Sequence, residues 1–202
     1  MTNASTYPVS ITGEIDPNLG GWLWLVKWLL LIPHFIVLIF LWIAFIVVTI
    51  IAGFSILFTG RYPRGLFNFN VGVLRWTWRV SFYGYSALAT DRYPPFSLST
   101  RDYPANLEIE YPEQLSRGLV LVKWWLLAIP HYIVVTFLSG GAGFSAGLTS
   151  ILALFGAIGR LFRKEYPADI FEVVMGFNRW AFRVTAYAAL MTDEYPPFRL
   201  SP

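Results

Sequence analysis

Two stretches of this sequence are too long and too poor in charge to be the core of a small water-soluble domain. The first, residues 22–58, contains one charged residue and one histidine, and the second, residues 119–159, again contains one of each. These charged residues and histidines are Lys27, His34, Lys123 and His131. Because about 20 apolar residues suffice to cross a hydrocarbon core of about 30 Å, each stretch is long enough to enter a membrane.

The two stretches belong to two copies of one unit. Residues 22–34 end in Lys-Trp-Leu-Leu-Leu-Ile-Pro-His, and residues 119–131 end in Lys-Trp-Trp-Leu-Leu-Ala-Ile-Pro-His. Further motifs recur in the same order: Arg-Trp-x-x-Arg-Val at 75–80 and 179–184, and Thr-Asp-x-Tyr-Pro-Pro-Phe at 90–96 and 192–198. An internal repeat of this length predicts two similar structural units, residues 1–100 and residues 101–202.

The composition is typical of a membrane protein. Hydrophobic residues make up 56% of the chain, the mean hydropathy is +0.54, and charged residues make up 13%, about half the usual share of a soluble domain. The net charge of +3 is too small to indicate a nucleic-acid partner. The expected partners are membrane lipids, further copies of the chain or a larger membrane complex. Without cysteine, disulfides and thiolate metal sites are excluded.

Short alternating segments predict a small sheet outside the membrane. Apolar and polar residues alternate at 9–15 and again at 105–111, a period of two that is typical of half-buried strands. The Tyr-Pro-Pro-Phe motifs are followed by similar alternation at 96–98 and 198–200. We therefore expect four short strands, two in each repeat, which must lie outside lipid because unpaired strand groups cannot be solvated there.

The path of each apolar stretch has two interpretations. Pro33 and Pro130 predict a break in the helix, since proline removes a helix hydrogen bond. In the first interpretation the Trp-rich part before the proline lies among the headgroups and residues 35–57 cross the membrane. In the second the stretch forms a helical hairpin, which the Gly-rich segment 139–143 favours in the second repeat only.

An amphipathic helix follows each apolar stretch, at about residues 66–88 and 170–190. Each carries two arginines on one side, and they are Arg75, Arg79, Arg179 and Arg183. An arginine at the centre of a bilayer costs about 2.5–3.5 kcal/mol even on the lenient insertion scale, so this side must face protein, headgroups or water. Two interpretations remain open, namely contact with anionic headgroups and internal pairing with Asp91, Glu172 or Asp193.

The lysine and histidine of each stretch lie about two helical turns apart, nearly on one face. One interpretation is an intramembrane polar pair that binds lipid phosphate or relays protons. The other is structural: the lysine extends to the interface, and the histidine caps a kink. Tyrosines that precede proline are interpreted as turn residues and headgroup anchors, with docking of a partner protein as the alternative.

The repeated loops indicate an even number of crossings per repeat, because similar loops most naturally face the same side of a membrane. Slightly more basic residues follow the apolar stretches than occur in the termini and the linker. By the positive-inside rule this places the loops at Tyr62 and Tyr166 in the cytoplasm.

The motifs quoted above resemble those of a bacterial family of uncharacterised membrane proteins, a domain of unknown function. The resemblance covers nearly the whole chain through the Ile-Pro-His helix, the Gly-Arg-Tyr-Pro loop at 60–63, the Arg-Trp-x-x-Arg-Val helix and the Tyr-Pro-Pro-Phe end. The second copy departs from it at 164–165, where Lys-Glu replaces Gly-Arg. It implies a multi-pass protein of the bacterial inner membrane and assigns no activity, cofactor or catalytic residue.

No catalytic motif, metal-ligand spacing or phosphate-binding loop is evident in the sequence. The fold class we expect is mainly α and integral to the membrane, with a kinked apolar stretch and an Arg-bearing helix in each repeat. The preferred function is a non-enzymatic scaffold, accessory subunit or membrane-shaping protein. The alternatives are a small transporter or channel lined by His34, His131 and the arginines, and a lipid-modifying enzyme that uses either histidine. Candidate polar or headgroup-binding residues are Lys27, His34, Arg75, Arg79, Lys123, His131, Arg179 and Arg183.

Overall fold

The computed structural model describes residues 7–17, 19–20, 22–139, 147–163 and 166–201. Within these ranges the protein is mainly helical, with one sheet of two strands. The elements in chain order are β1 (Val9–Gly13), a 3₁₀ turn (Leu23–Leu25), α1 (Lys27–Leu30), α2 (Ile32–Thr59), α3 (Arg64–Tyr83), β2 (Ala105–Ile109), α4 (Leu119–Val122), a π-helical turn (Lys123–Leu127), α5 (Ile129–Ser139), α6 (Leu148–Arg163) and α7 (Ala168–Ala188). In both halves a strand is followed by a short helical turn, an apolar helical stretch and a long helix, which confirms the tandem repeat.

The ends of the helices follow from proline and glycine. Pro33 lies in the first turn of α2, where its missing N–H has no helical partner to lose. Gly60 ends α2 in the left-handed conformation, with φ of 72°, and its N–H donates to the carbonyl of Ile56. Pro63 and Pro167 occupy the N-cap positions of α3 and α7. The helix breaks predicted at the two Ile-Pro-His motifs are present, since α2 begins at Ile32 after α1 ends at Leu30, and α5 begins at Ile129 after the π-helical turn ends at Leu127.

The two apolar stretches fold differently. In the first repeat α2 is a single helix of 28 residues, about 42 Å long at 1.5 Å per residue. In the second repeat the chain bends by 44° between Leu119–Leu127 and Ile129–Ser139, and α6 follows as a separate helix. The Gly-rich turn predicted at 139–143 lies outside the described residues after Ser139. Among the described helices, α2 is long and apolar enough to cross a membrane, and the bent pair would be a second span if it crosses as one unit.

The sheet has two strands rather than the four that we expected. β1 and β2 pair antiparallel, with Val9 opposite Ile109 and Gly13 opposite Ala105. No strand forms at 96–98 or 198–200 in the described chain, where arginines of α3 and α7 bind the backbone carbonyls of residues 97, 98 and 199. The alternation of apolar residues there reflects packing on helices and not sheet pairing.

The two repeats pack against each other through their strands and long helices. Each strand packs against the long helix of the other repeat, β1 on α7 and β2 on α3. Leu190 of the second repeat packs on Gly53 of α2, and Leu88, its counterpart in the first repeat, packs on Ala153 and Ala157 of α6. Both leucines have positive φ, 63° and 54°, a conformation uncommon for residues other than glycine. Each repeat thus completes the core of the other.

Candidate functional site

The repeated polar residues converge on a ten-residue segment near the end of each repeat. We call residues 90–99 and 192–201 the end segments; they follow α3 and α7 and carry the Tyr-Pro-Pro-Phe motifs. Each end segment folds back onto the helices of its own repeat. Four kinds of contact hold it there: a lysine–aspartate ion pair, a histidine stacked on phenylalanine, arginines bound to carbonyls, and a glycine that admits a leucine.

Each apolar stretch contributes a buried lysine to its end segment. The Lys27 ammonium is fully buried, 3.0 Å from the carboxylate of Asp91 and 2.7 Å from the carbonyl oxygen of Thr90. Lys123 repeats this geometry, 2.5 Å from Asp193 and 2.8 Å from the preceding carbonyl. Both lysines therefore form internal ion pairs, so the interpretation that they extend to the membrane interface is wrong.

In the environment of Lys27, desolvation outweighs pairing with Asp91, so the pKa of the ammonium is lowered. Burial lowers the pKa of Lys27, while the hydrogen bond and charge of Asp91 raise it. The ring of Tyr83 lies 4.6 Å from the ammonium and adds a cation–π contact. A buried ammonium is costly without its carboxylate, so Asp91 is required for Lys27 to remain charged where it lies.

Each histidine lies in an aromatic cluster. The ring of His34 stacks on Phe96 at 3.9 Å, and its Nδ1 accepts a hydrogen bond of 3.0 Å from the indole N–H of Trp76. His131 accepts an equal bond from Trp180 and stacks on the second phenylalanine at 4.3 Å. Because Nδ1 is an acceptor, the hydrogen-bond pattern assigns a neutral imidazole with its proton on Nε2. The lysine and histidine of each repeat thus bind different parts of the end segment and do not form a polar pair.

Three of the four predicted arginines bind backbone carbonyls. Arg79 donates to Ser97 at 3.2 Å and to Ser99 at 2.7 Å, and Arg183 makes the matching bonds to residues 199 and 201. Arg75 donates to the carbonyls of residues 98 and 107. Burial lowers the pKa of Arg79 to about 10.

The fourth arginine, Arg179, lies 3.6 Å from Glu172, which matches one of the expected pairings. The pairings expected with Asp91 and Asp193 are wrong, because the buried lysines take both carboxylates. The internal interpretation of the arginines is therefore the one that the contacts support, although most of the partners are carbonyls.

Two glycines of the repeat have a role that the sequence alone did not reveal. A Cβ added at Gly72 would lie 2.8 Å from the Cβ of Leu98, and one added at Gly176 would lie 2.7 Å from that of Leu200. The end segments therefore approach α3 and α7 so closely that there is no room for a Cβ at these two positions. The matching position of these glycines in the two copies was the available sequence signal.

Several tyrosines that we interpreted as headgroup anchors are internal. Tyr62 and Tyr166 are buried, and the hydroxyl of Tyr166 donates to the carbonyl of Ala87. Tyr93 and Tyr195 are partly exposed but bind the carbonyls of residues 30 and 127, just before the Ile-Pro-His motifs. These hydroxyls hold chain segments together across the fold.

The structure contradicts one premise of the predicted orientation, which counted the linker and the loop after α2 on opposite sides. The N–H of Leu115 in the linker donates to the carbonyl of Gly60 at 2.8 Å, and Arg64 pairs with Glu113 at 2.9 Å. The linker and the loop after α2 therefore lie at the same end of the molecule. Their basic residues cannot be compared as if they lay on opposite sides of a membrane.

An apolar groove of about 770 Å³ lies between α2 and the second repeat. Trp42, Phe54 and Leu57 of α2 form one wall, and Trp124 and Tyr132 belong to the other. Sequence reasoning missed this groove because its walls are distant in the chain. No group of three or more histidine or acidic residues suited to a metal ion occurs among the described residues.

A family model described as a domain of unknown function, DUF4389, matches residues 23–97 and again residues 120–199. Neither the curated proteins nor the solved structures contain a match. Each matched region lies within one of the two repeats, and together they cover well over half of the chain. The protein therefore belongs to the DUF4389 family, of which it carries two tandem copies.

Proposed function

We propose that this chain is a non-enzymatic, multi-pass protein of the bacterial inner membrane that acts as a scaffold, an accessory subunit or a lipid-interacting, membrane-shaping protein. The observation that carries the proposal is the outward surface of α2. Large apolar side chains are about half exposed or more along its whole length: Phe35, Ile36, Ile39, Phe40, Ile43, Ile46, Val47, Ile50, Ile51, Phe54 and Phe58. A core helix of a soluble protein would bury most of them, whereas only 17% of the apolar window of α2 is buried.

Covering this exposed apolar surface is strongly favourable in free energy. Full burial of one such side chain contributes about 1.5–3 kcal/mol, so covering these half-exposed residues contributes on the order of 10 kcal/mol. Water-soluble monomers rarely expose a contiguous patch of this kind. At about 42 Å, α2 is also long enough to cross a core of about 30 Å with some tilt.

The second repeat adds to the same surface. Ile133 and Phe137 of α5 and Phe155 of α6 are each more than 60% exposed. Exposed tryptophans precede both Ile-Pro-His motifs, including Trp22 at 72% and Trp124 at 54%. Tryptophan is enriched where hydrocarbon meets headgroups, which supports entry of both repeats into one bilayer.

The contacts of the repeated polar residues support a non-enzymatic role. The lysines, histidines and most of the arginines bind the end segments of their own repeats, so their recurrence is explained by folding. The same contacts give the transporter alternative no support, since His34 and His131 pack against aromatic rings.

Reconstitution into liposomes tests the proposal. We expect the purified protein to float with the liposomes, to resist alkaline extraction, and to change liposome shape or retain a lipid or partner protein. Ile43→Asp, on the exposed face of α2, should reduce insertion, because a central aspartate costs about 2.5–3.5 kcal/mol, whereas Thr100→Asp in the exposed chain after the first end segment should not. A wild-type protein that floats but changes no shape and retains nothing would refute the functional part alone.

A further inference from the structure

The groove between the repeats is shaped to receive a hydrocarbon chain. Its α2 wall follows one helical face from residue 42 to residue 57, a length of about 22 Å at 1.5 Å per residue. This exceeds the depth of one leaflet, about 15 Å or half the hydrocarbon core. The volume of about 770 Å³ lies within the range of about 300–1,000 Å³ typical of small-molecule sites.

The opening of the groove faces the same surroundings as the exposed apolar surface. Ile46, Ile50 and Phe54 line the groove and are also among the exposed residues of α2. On the far wall, Leu121 and Trp124 are likewise exposed. A groove between two lipid-facing helices opens sideways into hydrocarbon, so a lipid chain enters it without crossing water.

One end of the groove carries two exposed arginines. Arg61 lies four residues after the groove residue Leu57, and Arg117 lies three residues before the groove residue Val120. The Arg117 side chain comes within 3.6 Å of the position that a Cβ on Gly60 would occupy, so it lies beside the end of α2.

Two acidic side chains near this end are already paired. Arg64 binds Glu113, and the buried Lys123 binds Asp193. Within the described part of the chain, no acidic side chain lies within ion-pair distance of Arg61 or Arg117. Arg61 and Arg117 therefore have no carboxylate partner here, and a guanidinium fork is well suited to phosphate.

We propose that the groove holds one anionic phospholipid, with an acyl chain between the repeats and its phosphate between Arg61 and Arg117. This inference rests on the proposed membrane function and names the lipid class that the protein retains. The site is expected once per molecule and not twice, because the second copy has Glu165 in the sequence position of Arg61.

Native mass spectrometry of the full chain tests this directly. The protein is taken from vesicles of phosphatidylethanolamine and phosphatidylglycerol, and the lipids that remain bound are counted and identified. We expect one phosphatidylglycerol on the wild-type protein. The double variant Arg61→Gln/Arg117→Gln should lose about thirtyfold in its preference for phosphatidylglycerol, at about 1 kcal/mol per basic residue. The charge-matched control Arg101→Gln/Arg199→Gln should not.

A second variant tests the acyl part separately. Ala188→Phe fills the groove from α7 and should abolish lipid retention, whereas Ile39→Phe, outside the groove lining, should leave it unchanged. A cooperative thermal transition shows that each variant is folded. Equal retention by the folded Ala188→Phe variant, or no preference for the anionic lipid, overturns the inference. Flotation of the same samples separates the two claims: a protein that floats without bound lipid refutes only this inference, and one that does not float refutes the proposed function.

Discussion

Replacement of Asp91 by asparagine should destabilise the fold strongly, because it leaves a buried ammonium without its carboxylate. Lys27 is 0% exposed, and the side chain of Asp91 is 18% exposed. Removing one partner of a buried ion pair costs about 3–5 kcal/mol. Lys27 keeps its hydrogen bond to the carbonyl of Thr90, so we expect the lower end, about 3 kcal/mol. For a chain of this size this corresponds to a fall in Tm of about 6–12 °C.

The assay is a thermal unfolding scan of the purified protein in one detergent, with Asp193→Asn as the equivalent change in the second repeat. Adding Lys27→Met to Asp91→Asn removes the unpaired charge and should restore much of the loss, since a buried ion pair is often replaceable by apolar groups. This non-additivity separates ion-pair loss from general disruption. If Asp91→Asn shifts Tm by less than about 2 °C, or if Lys27→Met makes that variant worse, Lys27 and Asp91 are not the buried pair described above.

Three further predictions concern the end segments and the buried tyrosines. Gly72→Ala should destabilise the protein by about 1–3 kcal/mol in the same scan, because the added methyl group overpacks against the end segment. The control Gly65→Ala has open space around it and should not destabilise the protein. Equal effects of the two substitutions would contradict the close approach. Arg79→Lys should lower Tm, since an ammonium cannot reproduce the fork that reaches two carbonyls, and an unchanged Tm would argue against that contact. Burial raises the pKa values of Tyr62 and Tyr83 to about 12, above their unfolded value of 10.0. Their contribution to stability is therefore complete below pH 10 and is lost as the pH rises from 10 to 12. The part of the tyrosinate absorbance that is missing from a Tyr62→Phe/Tyr83→Phe variant should appear together with unfolding, and its appearance well before unfolding would contradict their burial.

Much of the architecture could be predicted from residue pattern. The tandem motifs indicated two similar units, the Ile-Pro-His motifs indicated helix breaks, and the alternation at 9–15 and 105–111 indicated the two strands that form. These features depend on local chemistry, such as the missing N–H of proline and the period of a strand. Such local features can be predicted from sequence because they depend on residues that are neighbours in the chain.

The errors arose where partners distant in the chain compete for the same groups. The segment at 96–98 alternates like a strand, but Arg79 binds the carbonyl of Ser97 and Arg75 binds that of Leu98, so these groups are not available to a neighbouring strand. Lys27 was expected to contact lipid or His34, yet the nearest carboxylate in space is 64 residues away in sequence. The groove could not be predicted from sequence for the same reason, since its walls come from both repeats.

The measurement that tests the central claim most directly is cysteine accessibility along α2. The native chain has no cysteine, so each introduced thiol reports on one position. We expect cysteines at Ile39, Ile43 and Val47 in reconstituted vesicles to resist a water-soluble maleimide from either side and to react only after the bilayer is dissolved, while a cysteine at Thr100 reacts from one side throughout. Rapid labelling of the α2 positions in intact vesicles, at the rate seen at Thr100, would show that α2 faces water and would contradict the account.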